Sequence, residues 1–146
     1  MRVMVLYERG ATGDAAVQCA RELAQASGAS LTLVGIVPQA EGGAPRCGGS
    51  AYLYNLAVME QVADELHAAK RHLREFADEA RIELLIEGAD PPLVDWTAAH
   101  EFDTILLPAR RRPLRSAKHP DAARLLRGTS AEVRVIDARG ADAARS

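Results

Sequence analysis

Phe102-Asp103-Thr104-Ile105-Leu106-Leu107-Pro108-Ala109-Arg110-Arg111-Arg112 is the stretch whose reading decides the fold. A short apolar run bounded by polar residues and a proline reads as a strand, Thr104 to Leu107, buried on both faces as in a parallel sheet. Open α/β sheets hold their ligands just beyond the carboxyl ends of such strands, so three consecutive arginines stand where a site is expected. They are either donors to a ligand or a solvated basic loop.

Outward from this run the same grammar repeats. Val3 to Leu6 is another continuous apolar run, and it leaves the sheet at Tyr7-Glu8-Arg9-Gly10. Thr12-Gly13-Asp14 offers N-cap residues for a helix over about Ala15 to Ser27, with Ala16, Cys19, Ala20, Leu23 and Ala24 on one face and Gly28 as its stop. Ser30 to Pro38 is rich in β-branched residues and closes on proline, which makes a second strand.

Gln39 to Ser50 has no apolar period and reads as a loop; its glycines come as two separated pairs, which is not the spacing of a phosphate-cradling loop. From about Leu53 to Ala80, Leu56, Met59, Val62, Leu66, Ala69, Leu73 and Phe76 recur at helical spacing and form a core-facing stripe. His67 and His72 are five apart, so they point away from one another and make no metal pair. Arg81 to Glu87 reads as a third strand. A helix follows to His100, with Asp90 as N-cap, Pro91 at its first position and His100 as a charge complement to its end. Beyond the arginines, Asp121 opens a short helix stopped by Gly128, and Ala131 to Asp137 alternates like an edge strand. The tail from Ala138 is expected to be loose.

The order of elements makes a single α/β domain, residues 1–137: a sheet of five parallel strands with helices on both faces. A chain of 146 residues that is 48% hydrophobic and 26% charged can bury one substantial core. No segment reaches the roughly 20 apolar residues needed to span a bilayer, and the first strand is too short for a signal peptide, so a cytosolic protein is expected. Cys19 and Cys47 make neither a disulfide framework nor a zinc site, and both are expected to be reduced.

The net charge of -2 divides unevenly. Up to Pro108 there are 8 Lys/Arg against 16 Asp/Glu, and from Ala109 onward 10 against 4. Such asymmetry suits an anion-binding surface, complementary faces of a dimer or a solvated helix. No Ser-His-Asp or Cys-His signature and no metal-ligand spacing stands out, and aromatic residues do not interleave with the basic cluster as a nucleic-acid platform requires. No enzyme activity, metal, membrane or nucleic-acid partner is expected.

The strand ending at Glu8, the second strand Leu31-Thr32-Leu33-Val34-Gly35-Ile36-Val37-Pro38, the segment Glu87-Gly88-Ala89-Asp90-Pro91 leading to Phe102–Leu107, and the ending Leu125-Leu126-Arg127 to Val133–Asp137 together resemble a universal stress protein domain. The resemblance covers Arg2 to Asp137. It implies a Rossmann-like open sheet with strand order 3-2-1-4-5, a homodimer paired through the fifth strands (here Val133 and Val135), and a non-catalytic stress-response or regulatory role beside a protein partner.

Many members of that family bind ATP on a glycine motif after the fourth strand, where glycines let backbone N–H groups approach the phosphates. The corresponding positions here are about Pro108 and Arg111, with His119-Pro120 at the final pair, while Gly128-Thr129 comes too late. The acidic residue that meets the nucleotide would be Glu8, and the adenine-contacting backbone position would be Ile36. With the glycines replaced, ATP is not expected as a cofactor. The alternative is a small-anion or nucleotide cleft in which Arg110, Arg111, Arg112, Arg115 and Lys118 supply guanidinium and ammonium donors in place of amides.

Overall fold

A computed structural model of the chain describes residues 1–39, 51–109 and 128–142. The expected apolar runs are its strands: β1 (Arg2–Leu6), β2 (Ser30–Val37), β3 (Arg81–Ile86), β4 (Thr104–Pro108) and β5 (Glu132–Ile136). All pair in parallel, in the order β3-β2-β1-β4-β5. Val5 lies opposite Leu33 on one side and Leu106 on the other, and all three are fully buried. Every residue of β4 is buried, which is why its sequence is continuous rather than alternating.

Successive side chains alternate between two cores. One joins Val3, Val5, Leu31, Leu33, Leu106 and Ile136 to the helices α1 (Ala11–Ser27) and α2 (Ala51–Arg71). The other joins Met4, Leu6, Val34, Leu85, Ile105 and Leu107 to α3 (Leu93–His100). Helices therefore cover both faces, and β3 and β5 are the edges.

Three boundaries differ from those expected. Helix α1 begins at Ala11, because Gly10, at φ 131, takes a conformation open to glycine and accepts the first helical bond from the Asp14 N–H. Asp14 lies in its first turn and is not its cap. Helix α2 ends at Arg71 instead of running on to Ala80, and a 3-10 turn over Arg74–Phe76 follows, with Arg74 at φ 53. Nine more helical residues would carry the chain about 13 Å further along the same axis. The break instead buries Leu73 and lets Arg81 enter the sheet beside Thr32, and Arg21 holds the turn through Glu75 at 3.0 Å. Helix α3 begins at Leu93 behind Pro92, not at Pro91, because the Asp90 carboxylate accepts the Ile86 N–H at 2.7 Å and closes the end of β3.

The C-terminal residues as far as Asp142 are tied down. The Asp137 N–H donates to the Ala141 carbonyl, the Asp137 carboxylate accepts the N–H groups of Arg139 and Ala141, and Asp142 forms an antiparallel bridge to Ile136. Cys47, the glycine-rich segment from residue 40, the helix expected from Asp121 and residues 143–146 lie outside the described residues.

Candidate functional site

The chain crosses from β1 toward β2 in one direction and reaches β4 in the other, so the notch between the ends of β1 and β4 is the topological switch point of the sheet. Tyr7, Glu8, Arg9 and Gly10 form one wall of this notch, and Pro108 and Ala109 form the other. Ile36, on the neighbouring strand, is half-buried against the core beneath α3.

Tyr7 continues the pairing of β1, its N–H donating to the Val34 carbonyl at 2.8 Å. Its ring packs on the core under α1, and its hydroxyl donates to the Asp14 carboxylate at 3.1 Å. Burial, reinforced by the charge of Asp14, pushes the phenol up to about 12. The turn after β1 is held from below by Gly13. A Cβ at Gly13 would lie 1.8 Å from the Glu8 carbonyl oxygen, so only glycine lets the first turn of α1 rest on that backbone. Glu8 is thereby fixed at the mouth, half-buried.

On the opposite wall the amides are already spent. Pro108 has no N–H, and the Ala109 N–H donates to the Ile136 carbonyl at 2.8 Å. The residues expected at the mouth thus divide: Glu8 and Ile36 are described, whereas Arg110, Arg111, Arg112, Arg115 and Lys118 lie outside the described residues. Among the described residues no group of three or more His, Cys, Asp or Glu side chains could hold a metal ion. His67 and His72 are both exposed. Cys19 is half-buried, and burial pushes its thiol pKa up, which disfavours the nucleophilic thiolate.

The Tyr7–Asp14 pair was not anticipated from sequence, where Asp14 reads as a cap. The available signal was Tyr7 itself, which by strand alternation from Val5 faces α1. The pair has a pH consequence. The folded-state pKa lies above the unfolded value of 10.0, so the stability carried by the neutral phenol is complete below pH 10 and is lost as pH rises through about 12. Titration of tyrosinate absorbance should show one of the three tyrosines ionising late, and Tyr7→Phe should remove that step. Ionisation of all three together near pH 10 would contradict the burial of Tyr7.

Comparison with known proteins adds an independent line. The model of the universal stress protein family matches residues 1–136. The fold is similar to that of a universal stress protein family member from Burkholderia pseudomallei (TM-score 0.66, 20% identity, 90% of this chain and 92% of that one). It is also similar to universal stress protein UspA from Lactobacillus plantarum (TM-score 0.70, 19% identity, 92% and 96% covered). A third similar structure is the universal stress protein from Archaeoglobus fulgidus in complex with dAMP (TM-score 0.57, 16% identity, 90% and 93% covered). At these identities the structural likenesses speak for the fold alone. No curated sequence is similar enough to count as a relative.

Proposed function

Because this chain belongs to the universal stress protein family, we propose that it is a non-catalytic stress-response module of the cytosol that works as a homodimer and does not hold ATP on the family's phosphate cradle. The observation that carries the reading is the backbone at the end of β4. A phosphate cradle needs N–H groups pointing into the notch. Pro108 has none to offer, and the N–H of Ala109 is committed to Ile136. The first amides on that wall are therefore unavailable without breaking the pairing of β4 with β5.

No helix among the described residues is long and apolar enough to cross a membrane, which accords with a cytosolic setting. A role without catalysis leaves the protein's surface, and its exchange between free and partnered states, as the means of acting on a protein partner. The edge strand β5, with Val133 and Val135 half-buried, is the proposed dimer seam.

Titration calorimetry and thermal shift with Mg-ATP, Mg-ADP and dAMP test the nucleotide part. The expected result is no heat of binding and no rise in melting temperature at millimolar ligand. A micromolar site would stabilise the fold by about 4 kcal/mol at a thousandfold excess over Kd, an effect too large to miss. Micromolar affinity for any of the three would overturn the reading. Light scattering tests the dimer separately, and a monomer at all accessible concentrations would refute it.

A further inference from the structure

The outer edge of β5 has a definite hydrogen-bonding pattern. Glu132 and Ile136 direct their backbone groups inward, since the Glu132 N–H donates to the Asp103 carbonyl and the Ile136 carbonyl accepts from Ala109. By the two-residue period of a strand, Ala131, Val133, Val135 and Asp137 direct theirs outward. The ends of that outward row are closed. The Ala131 N–H donates to the Thr129 hydroxyl at 3.2 Å, and the Asp137 N–H donates to the Ala141 carbonyl at 2.9 Å. The N–H groups of Val133 and Val135 stand between them on the outward row.

The upper closure is a built turn. The Asp137 carboxylate accepts from Arg139 at 2.8 Å and from Ala141 at 3.0 Å, the Asp137 carbonyl accepts from Gly140 at 3.0 Å, and Gly140 sits at φ 82, where a side chain would be strained. The turn brings Asp142 opposite Ile136 as an antiparallel neighbour. A neighbouring strand lies about 4.8 Å from the edge it pairs with, so the turn fills the lane a second strand would need there.

We propose that the C-terminal turn at Asp137 and a second copy of this chain compete for the outer edge of β5, so that the docked turn restrains dimerisation and its release promotes it. The inference rests on the reading of the protein as a dimer through β5. In a two-fold antiparallel pair, the outward amides of Val133 and Val135 both gain partners when Val133 lies opposite residue 135 of the second copy, with Arg134 at the centre. Centring on Val135 instead sets Val133 against residue 137, whose N–H and carbonyl are used by its own turn, and residue 134 of the second copy opposite Ile136, so that register also meets the docked turn. The register centred on Arg134 likewise sets residue 132 of the second copy opposite Ile136, where Asp142 already lies. Full pairing therefore requires the turn to leave.

One side-chain pair opposes this register, since at the two-fold Arg134 lies directly opposite its own counterpart, and the neighbouring carboxylates offset that repulsion. Arg134 and Glu132 lie on the same face of β5, joined at 3.1 Å within one chain. Across the two-fold, Arg134 would become a diagonal neighbour of residue 132 in the other copy, so the ion pair can be exchanged between subunits without loss of charge balance.

The test compares dimer dissociation constants, by sedimentation equilibrium, for the wild type, Asp137→Ala and Gly140→Val. Both substitutions loosen the turn and leave the strand residues intact. Thermal melting of each variant verifies that it folds. Loss of the two bonds to a charged carboxylate should tighten the Asp137→Ala dimer about tenfold, and Gly140→Val should act in the same direction. Adding Val135→Pro to Asp137→Ala removes an outward N–H from an edge strand that tolerates proline, and should abolish the dimer. If the dimer persists with Val135→Pro, the seam is elsewhere, and both the dimer reading and the competition are wrong. If Val135→Pro breaks the dimer but both turn variants bind no more tightly than the wild type, the competition alone is wrong. Absence of any dimer in all variants would overturn the dimer reading and this inference with it.

Discussion

Replacing Gly13 by alanine is expected to destabilise the protein by about 3 kcal/mol or more, a fall in melting temperature of about 10 °C for a chain of this size. In an ordinary helix interior the same exchange is stabilising by up to about 1 kcal/mol, because glycine has more backbone freedom to lose. Here the sign is reversed by geometry. The new Cβ would lie 1.8 Å from the Glu8 carbonyl oxygen and 2.9 Å from its carbon, and both atoms belong to backbone that cannot rotate away. The first turn of α1 would have to lift off the end of β1, carrying Asp14 from Tyr7 and reshaping the wall that holds Glu8. Gly28 supplies the control. It sits at φ 68 with nothing within 4 Å of its Cβ position, so alanine there should cost only about 1 kcal/mol of backbone strain. A Gly13→Ala melting temperature within 2 °C of the wild type would refute the close packing of α1 on the turn.

The second large effect is expected at the sole tryptophan. Trp96→Ala should cost about 3–5 kcal/mol, the range for truncating a large buried aromatic side chain. Helix α3 has only eight residues, and of these Leu93, Trp96 and Thr97 are buried, so Trp96 is its principal anchor. The ring stacks on His100 at 4.2 Å and leans on Phe102 at 5.5 Å, while the Arg2 guanidinium lies over Phe102 at 5.1 Å. Arg2 also donates to the His100 carbonyl and exchanges backbone contacts with Asp103, whose carboxylate accepts the Arg2 N–H at 2.7 Å. The cluster fastens the end of α3 to the start of β1. Trp96→Phe should recover most of the stability, since an aromatic face remains for His100 and Phe102. Chemical denaturation of the two variants measures the difference, and a loss below about 1 kcal/mol for alanine would show that α3 is held by other contacts.

The polar residues that flank the sheet carry the contrast between what could be read and what could not. The continuous runs at Val3–Leu6 and Thr104–Leu107 admit few readings, because a segment apolar on both faces must be covered on both faces. Their position at the centre of a parallel sheet was therefore legible, and the family resemblance set them side by side with a notch between their ends. Polar residues near a turn have several partners within reach. Asp14, Asp90 and Asp137 all lie near chain reversals where an aspartate can cap a helix, bond back to a strand or close a loop. Asp14 bonds Tyr7, Asp90 closes β3, and Asp137 folds the C-terminal residues onto β5. Local sequence does not distinguish these outcomes, because their energies are similar until the neighbouring element is in place.

The candidate site divides along the same line. Its location and two of its residues, Glu8 and Ile36, follow from the strand pattern and the family resemblance. That Ala109 has no amide to give depends on Ile136, a partner brought beside it only when β5 pairs with β4.

By itself the sequence determined the order of strands and helices along the chain and the parallel sheet, since apolar periodicity is local and each buried run demands cover, while the place where the topology reverses followed from the family resemblance. Only the tertiary structure decided where α1 begins, where α2 breaks, which amides at the mouth are spent and how the C-terminal turn occupies the sheet edge. Each of those depends on contacts between residues distant in the chain, whose close approach no local pattern encodes.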